Sequence, residues 1–315
     1  MPVRGLATII AGALVLGLAA APASATTLSA SSILGEFNAV VFNNVSGSCC
    51  DFEGPVVIGG NLSGGGTFAN KGAAGLPAGY GTANVYGAAT GHFNANGAQV
   101  YVGGANSAVF SGGTVHSGYS FADPISAFQA PLVALSQQLS QLTANSALPA
   151  HNHPPVNNGV ITATPGVVNG VGGIAVFDIK ASDLADFASF SLDVGTASTV
   201  VLNVSGNYTQ QANIQNIVEA DRTKVIWNFY DATIVNLTQF EGVVLAPYAT
   251  VHNSSPIEGT LVASAFNPGG ELHYHPFTGN LSFLTPTGVP EPVGTAILGV
   301  GLLGLLGARL AGRRR

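Results

Sequence analysis

Charged side chains are scarce in this chain of 315 residues, because Asp, Glu, Lys and Arg together make up only 8% of it. Between residues 26 and 284 the acids number fourteen, from Glu36 to Glu271. The basic residues in the same stretch are Lys71, Lys180, Arg222 and Lys224. Phosphate binding needs clustered Lys and Arg, so this composition argues against nucleic acid and anionic membrane surfaces as partners. Divalent cations, sugars and other surfaces are left open.

Catalytic signatures are also missing. The sequence contains no G-x-S-x-G nucleophile elbow, no H-E-x-x-H zinc motif and no phosphate-binding loop. The recurring Glu residues described below lack a partner His or Lys that would turn one of them into an acid. We therefore predict a protein that is not an enzyme, and we rank a carbohydrate-active enzyme third among its functions.

The first 25 residues have the composition of a removable signal peptide. Arg4 provides a positive start, residues 6–18 form an apolar run, and Ala23-Ser24-Ala25 provides a small-residue cleavage site at Ala23 and Ala25. The apolar run is short for a membrane span. We expect export through the Sec machinery.

The last stretch, residues 285–315, has the composition of a membrane anchor. An apolar run at 293–308 is long enough to cross a bilayer, and basic residues follow it. This is a stop-transfer arrangement, which predicts a transmembrane helix that holds the chain in the inner membrane. The residues that flank the run are Val289, Pro290, Glu291, Pro292, Arg313, Arg314 and Arg315.

Cysteine occurs only twice, as the neighbours Cys49 and Cys50. Export favours an oxidised pair, but adjacent cysteines close only a small, strained ring. A vicinal disulfide and two free thiols are equally open, whereas a metal site fits poorly because nothing nearby completes a set of ligands.

Glycine, by contrast, is abundant, and short apolar strands recur between glycine-rich turns. Glu-Gly dipeptides introduce such strands at Glu53, Glu241 and Glu258. Further along each repeat, Val225, Val243 and Leu261 fall at intervals of eighteen. This pattern predicts a mainly β fold, a single-stranded β-solenoid whose coils stack in one column. No linker divides residues 26–284, so we expect a single domain there.

One long helix is predicted beside the strands. Asp123-Pro124 resembles an N-cap followed by proline at the first helical position, and Pro131 predicts a kink or restart. Apolar residues then recur at helical spacing. They are Ile125, Phe128, Leu132, Leu135, Leu139 and Leu142. Because the strands are apolar on both faces, we expect this helix to cover the flank of the solenoid.

Two shorter segments also receive predictions. The Gly-rich stretch 61–81 is expected to be a long irregular loop. Ser182 is expected to cap a short helical turn.

The tail and the body resemble two known families. The Val289-Pro290-Glu291-Pro292 motif, the apolar run and the terminal arginines resemble the PEP-CTERM sorting signal of Gram-negative bacteria. That resemblance implies recognition by an exosortase and delivery to the cell surface, the outer membrane or an extracellular matrix. The body is similar to the choice-of-anchor A domain family, on Phe52-Glu53-Gly54, Phe240-Glu241-Gly242 and the segment 271–277. This likeness implies adhesion without catalysis. Two features depart from the pattern: the Cys49-Cys50 pair and the Gly-rich stretch.

Two groups of residues could hold a metal ion. Glu241 and Glu258 begin adjacent coils, about 5 Å apart, and would need a cation such as Ca²⁺, a shared proton or turn amides. We favour the turn amides. Glu271, His273 and His275 alternate along a strand and form a half-site that His151 and His153 could complete, although a structural role is the expected one. We therefore expect no obligatory cofactor.

These observations predict an exported adhesin of the bacterial surface or biofilm matrix. It would bind exopolysaccharide or neighbouring cells through many weak contacts. Ice binding is the alternative, because a flat solenoid face can order water. Against ice binding, no Thr-x-Thr pair returns at the coil interval.

Overall fold

The computed structural model describes residues 28–47, 51–69, 71–72, 75–150, 158–215 and 217–284. The signal peptide, both cysteines, His151, His153 and the sorting tail all lie outside these ranges. The described residues are mainly β, with four helices. No helix among them has the length and apolarity that a membrane span requires.

The strands are β1 Ala39–Val41, β2 Val45–Gly47, β3 Asp51–Phe52, β4 Val56–Ile58, β5 Leu62–Phe68, β6 Ala83–Val85, β7 Ala89–Asn94, β8 Gln99–Val102, β9 Val109–Ser111, β10 Thr114–Ser117, β11 Asn158–Thr162, β12 Gly166–Val168, β13 Val171–Lys180, β14 Ser189–Asp193, β15 Thr199–Ser205, β16 Tyr208–Thr209, β17 Asn213–Ile214, β18 Val225–Asn228, β19 Ile234–Leu237, β20 Phe240–Glu241, β21 Val243–Asn253, β22 Ile257–Glu258, β23 Leu261–Pro268 and β24 Leu272–His273. The helices are α1 Ala30–Glu36, α2 Ser126–Ser140, α3 Ala181–Leu184 and α4 Glu219–Arg222.

Most strands pair in parallel with a strand of a neighbouring chain segment, and three ladders result. The helix-side ladder runs β13–β15–β18–β21–β23–β1–β4–β6–β8–β10. The polar-side ladder runs β16–β19–β21–β23–β2–β5–β7–β9. The acid-side ladder runs β20–β22–β24–β3–β5. A separate three-stranded sheet contains β11, β14 and β17.

The predicted register is wrong by one residue per step. Ile226 lies beside Val243, and Val244 lies beside Leu261, so the interval here is seventeen rather than eighteen. Other steps are longer, since Val200 lies beside Val225. A shift of one residue exchanges the two faces of a strand. Val225, Val243 and Leu261 occupy neighbouring strands but do not form one column.

The stacking order also differs from the chain order. Strand β1, near the N-terminus, lies between β23 and β4, with Ala39 beside both Leu261 and Val56. The ladders therefore join the N-terminal strands onto the last C-terminal ones. The prediction of one column rising along the chain is wrong, because pairing between the two halves is non-local and leaves no trace in the repeat spacing.

Two apolar layers explain why the helix-side strands are apolar on both faces. The inner layer lies between the ladders and includes Val225, Trp227, Val244 and Leu261. The outer layer lies under helix α2 and includes Ile226, Val243, Leu245 and Val262 together with the helix residues Phe128, Leu132, Leu135 and Leu139. The prediction that this helix covers the strands is confirmed.

The ends of helix α2 differ from the prediction. It begins at Ser126 without a side-chain cap and continues through Pro131. Asp123 is not the N-cap: it accepts hydrogen bonds from Tyr80 Oη at its carboxylate (3.3 Å) and from Tyr86 Oη at its backbone oxygen (2.8 Å). Similarly, the N-cap of α3 is Lys180 and not Ser182. At Asp123, tertiary hydrogen bonds replace the local capping that the sequence suggested, whereas the hydroxyl of Ser182 donates to the carboxylate of Asp183 (3.2 Å).

The predicted loop at 61–81 contains a strand instead. Strand β5 pairs with both β2 and β7, and Gly47, Gly64 and Gly91 lie side by side. Gly64 has a φ of 115°, and a Cβ atom there would overlap the carbonyl oxygen of Gly47. Glycine is what lets these three backbones approach.

Candidate functional site

The acid-side ladder brings together all five residues of the predicted metal groups. Glu241 lies beside Glu258, and Glu258 lies beside His273. Glu271 and His275 flank His273 in sequence and reach the same place. The predicted adjacency of the two Glu-Gly carboxylates is confirmed.

A cation from the chain itself lies between those carboxylates. Arg222, at the end of α4, places Nη2 3.2 Å from Glu241 Oε2 and Nη1 2.9 Å from Glu258 Oε2. The backbone N–H of Ile217 donates to Glu241 Oε2 (2.9 Å). Of the three options that the sequence left open, the structure combines a cation with a backbone amide.

Glu241 is fully buried, and its two carboxylate oxygens have different surroundings. Burial raises the pKa of this carboxyl, although Arg222 and the Ile217 amide act in the opposite direction. Its second oxygen, Oε1, has no hydrogen-bond partner among the described residues. Arg222 therefore stabilises the ionised form of this buried carboxyl group.

The histidines face carboxylates. His273 Nδ1 lies 2.7 Å from Glu258 Oε1, and His273 Nε2 lies 2.8 Å from Glu271 Oε2. Although burial opposes it, hydrogen bonding to Glu271 and Glu258 raises the pKa of His273. His275 Nε2 lies 3.0 Å from Glu258 Oε2. The imidazole nitrogens thus act within an ion-pair network.

This network has the residue types of a metal site but not the arrangement. Across the described ranges, no group of three or more His, Cys, Asp and Glu side chains is placed to hold a metal ion. Calcium binding here stays a prediction. The sequence reasoning missed Arg222, which could have been found as one of only four basic residues in the body.

The polar-side ladder presents a second and larger surface. One outward column passes through seven neighbouring strands and contains only short polar side chains and one imidazole. Its members are Thr209, Asn236, His252, Asn267, Ser46, Ser63 and Thr90. None of the strands in this ladder contributes Asp, Glu, Lys or Arg to this surface, which we call the polar face.

Asparagines hold the border of the polar face in place. The N–H of Asn61 donates to Asn44 Oδ1, and the N–H of Ala88 donates to Asn61 Oδ1, each at 2.8 Å. Asn44, Asn61 and Thr90 help to line a shallow depression of about 310 Å³ on this face. Within the column, Asn236 Nδ2 donates to Thr209 Oγ1 (3.1 Å). Side chains fixed in this way lose little entropy when they meet a ligand.

These features define a mainly β domain with parallel ladders, a covering helix and a repetitive polar face. More specifically, the chain belongs to the family described as "Putative Ice-binding-like adhesive domain", whose family model matches residues 30–274. No curated protein and no solved structure matches the chain.

Proposed function

We propose that this protein is an exported, non-catalytic adhesin that binds polysaccharide through its polar face. The observation that supports this most directly is the uncharged column of seven polar side chains at neighbouring strand positions. Adjacent strands lie about 4.8 Å apart, so a chain of sugar hydroxyls meets similar hydrogen-bonding groups at each step. The adhesive family and the acidic, cation-poor body support the same role.

We infer further that the three ladders wind as a solenoid, which makes the polar face long and regular. Each single contact with a sugar hydroxyl is weak in water, since it exchanges one hydrogen bond for another. Many such contacts on one face add through avidity. This is how an adhesin without a deep pocket would hold exopolysaccharide or a cell-surface glycan.

Binding of the full chain to immobilised cellulose, dextran and xylan tests the proposal. The variant Ser63→Glu places a charge within the polar face, between Ser46 and Thr90. Gln129→Glu, on the exposed side of α2, is the matched control for charge. We expect Ser63→Glu to weaken binding at least tenfold and the control to leave it unchanged. Equal binding by both variants would exclude the polar face.

Ice binding is the second candidate, because the family description includes it and the polar face is regular. An ice-binding face orders water over a flat surface, whereas this column mixes Thr with Asn, Ser and His. Thermal hysteresis of the full chain separates the two functions. Hysteresis abolished by Ser63→Glu, without binding to any polysaccharide, would replace adhesion with ice binding.

We also propose that the tail acts as a PEP-CTERM sorting signal. In this proposal the apolar run holds the chain in the inner membrane until an exosortase cleaves near Pro290-Glu291-Pro292, and the body then reaches the surface of a Gram-negative cell. Replacing Pro290 and Glu291 by Ala tests this step. Immunoblots of cell fractions should show the variant retained in the inner membrane and the wild type released.

Calcium remains a proposal for the acid-side ladder. If Ca²⁺ joins Glu241, Glu258 and Glu271, EDTA should lower the melting temperature, and added Ca²⁺ should restore it. An unchanged melting temperature would leave Arg222 and His273 as the counter-charges of these glutamates.

A further inference from the structure

At one end of the molecule, the helix-side and polar-side ladders each finish in a strand that has a neighbour on one side only. Within the described residues, β10 pairs with β8 alone and β9 pairs with β7 alone. At the far end of the helix-side ladder, by contrast, β12 folds back antiparallel onto β13 and covers its edge. We call the end formed by β9 and β10 the open end.

The backbone of β10 leaves hydrogen-bonding groups free at this edge. The N–H of Thr114 donates to the oxygen of Ala98 (2.9 Å), so Thr114 turns its backbone groups toward β8. Peptide groups alternate in direction along a strand. The N–H and C=O of Val115 therefore point away from β8, toward the free edge.

The inner apolar layer is also incompletely covered at the open end. Ala108 and Val115 pack against that layer but are only partly buried. A terminal coil that needed no partner would normally carry a polar cap.

Among the described residues, strands β9 and β10 lack the charge and the proline that usually keep another strand from pairing. Edge strands are usually protected by charge, by Pro or by a covering element. No charged residue occurs between Lys71 and Asp123, and neither β9 nor β10 contains Pro. The body as a whole is acidic, so two copies repel each other least where charged side chains are absent, as they are at this end.

We propose that two copies of the chain associate head to head at the open end, with β10 antiparallel to β10 of the second copy. Side chains that face each other across an antiparallel pair lie on the same side of the sheet. Thr114 then lies opposite His116 of the other copy, and Val115 lies on the two-fold axis. The two Val115 residues exchange both N–H···O=C bonds, and their side chains close the inner layers against each other. The dimer doubles the length of the ladders.

The Val115→Pro variant tests the shared hydrogen bonds. Proline removes the N–H that points out of the molecule, and no bond to β8 is lost. Val115→Thr keeps this N–H and the branched shape, so it is the matched control. By analytical ultracentrifugation of the full chain in detergent, we expect dimers for the wild type and Val115→Thr and monomers for Val115→Pro. A monomeric wild type, or a dimeric Val115→Pro, would overturn the proposal.

A second variant tests the interface without relying on the folding of Val115→Pro. Thr114→Lys places a charge on an exposed side chain at the interface, and Thr162→Lys places the same charge on the exposed face of β11. Only Thr114→Lys should dissociate the dimer, with the fluorescence of Trp227 unchanged in both. A dimer that survives this substitution forms elsewhere, for example through the tail.

Photo-crosslinking tests how the two copies are oriented in the dimer. With p-benzoylphenylalanine at position 114, we expect a covalent dimer whose crosslinks fall within residues 114–117 of the other copy. The same probe at Val167, which is 73% exposed near the opposite end, should give none. Crosslinks from position 167, or from position 114 to another surface, would contradict the head-to-head arrangement.

Discussion

At the scale of single residues, a few side chains determine how the rare charged groups of residues 26–284 are compensated. Arg222 contacts two glutamates of the acid-side ladder, Glu241 and Glu258, and it also donates through Nη2 to the oxygen of Ile217 (2.9 Å). Its Nε has no partner among the described residues. One guanidinium therefore compensates a fully buried carboxylate and links α4 to the ladder.

Removing this guanidinium should be costly. Arg222→Met leaves Glu241 buried without its counter-ion, which typically destabilises a protein by about 3 to 5 kcal/mol. Adding Glu241→Gln removes the orphan charge and should recover much of that loss. Urea unfolding of the four proteins in this double-mutant cycle measures the coupling, and additive effects of the two substitutions would show that the pair is independent.

His273 should make stability depend on pH. Its pKa is raised in the folded protein, so the ion pairs with Glu258 and Glu271 stabilise the fold at a pH below the ordinary histidine value and cease to do so as the pH rises through the raised pKa. We expect the melting temperature to fall over this window. His273→Gln should flatten that change. A parallel decline in the variant would assign it to other groups.

At the scale of secondary-structure elements, the fold depends on close backbone contacts between strands and on the packing of helix α2 against them. Strand β5 is nearly half glycine, and yet it pairs on both sides because glycine permits the close contact with β2 and β7. Helix α2 is held by packing and by hydrogen bonds, since Asn228 Nδ2 donates to the oxygen of Ser136 (2.9 Å) and Asn203 Nδ2 donates to that of Leu139 (2.7 Å).

Gly64→Ala should separate strand β5 from its neighbours. The added methyl group overlaps the backbone of Gly47, and the φ of 115° is unfavourable for Ala. We expect a loss of at least about 2 kcal/mol, because strained backbone at one residue alone costs about 1 to 3 kcal/mol and the overlap with Gly47 adds to it. Gly75→Ala, where a Cβ meets no atom within 4 Å, is the control, and thermal melts compare the two.

Leu132→Ala tests the covering role of helix α2. Leu132 is fully buried in the outer layer, so its truncation should cost about 2 to 5 kcal/mol. The exposed Gln129→Ala should be nearly neutral. Faster hydrogen exchange in α2 than in the strands beneath it would show that the helix undocks before the ladders open.

At the scale of the whole molecule, strand pairing joins the N-terminal half to the C-terminal half. Asn38, which is fully buried, donates through Nδ2 to the oxygens of Gly259 (2.8 Å) and His273 (3.0 Å) and accepts from the N–H of Gly54 (3.1 Å). One amide side chain thus joins three segments at the seam where β1 meets β23. This continuity predicts that the two halves unfold together.

Trp227 reports on that cooperativity because it is the only tryptophan and lies in the C-terminal half. Val100→Ala, on β8 in the N-terminal half, removes two buried methyl groups far along the ladder. If the halves form one unit, Trp227 fluorescence should melt at a lower temperature in the variant, by the same amount as circular dichroism. An unchanged Trp227 transition would show that the halves unfold independently.

The sequence by itself determined the mainly β class, the apolar strands, the face of α2 that packs on them and the adjacency of Glu241 and Glu258. These features rest on local periodicity and on repeated dipeptides, which are visible within a few tens of residues. Tertiary structure alone decided the register, because strands that are apolar on both faces allow a slip of one residue without changing the pattern. It also decided that β1 enters between β23 and β4 and that Arg222 lies between the carboxylates, since both depend on contacts between residues far apart in the chain.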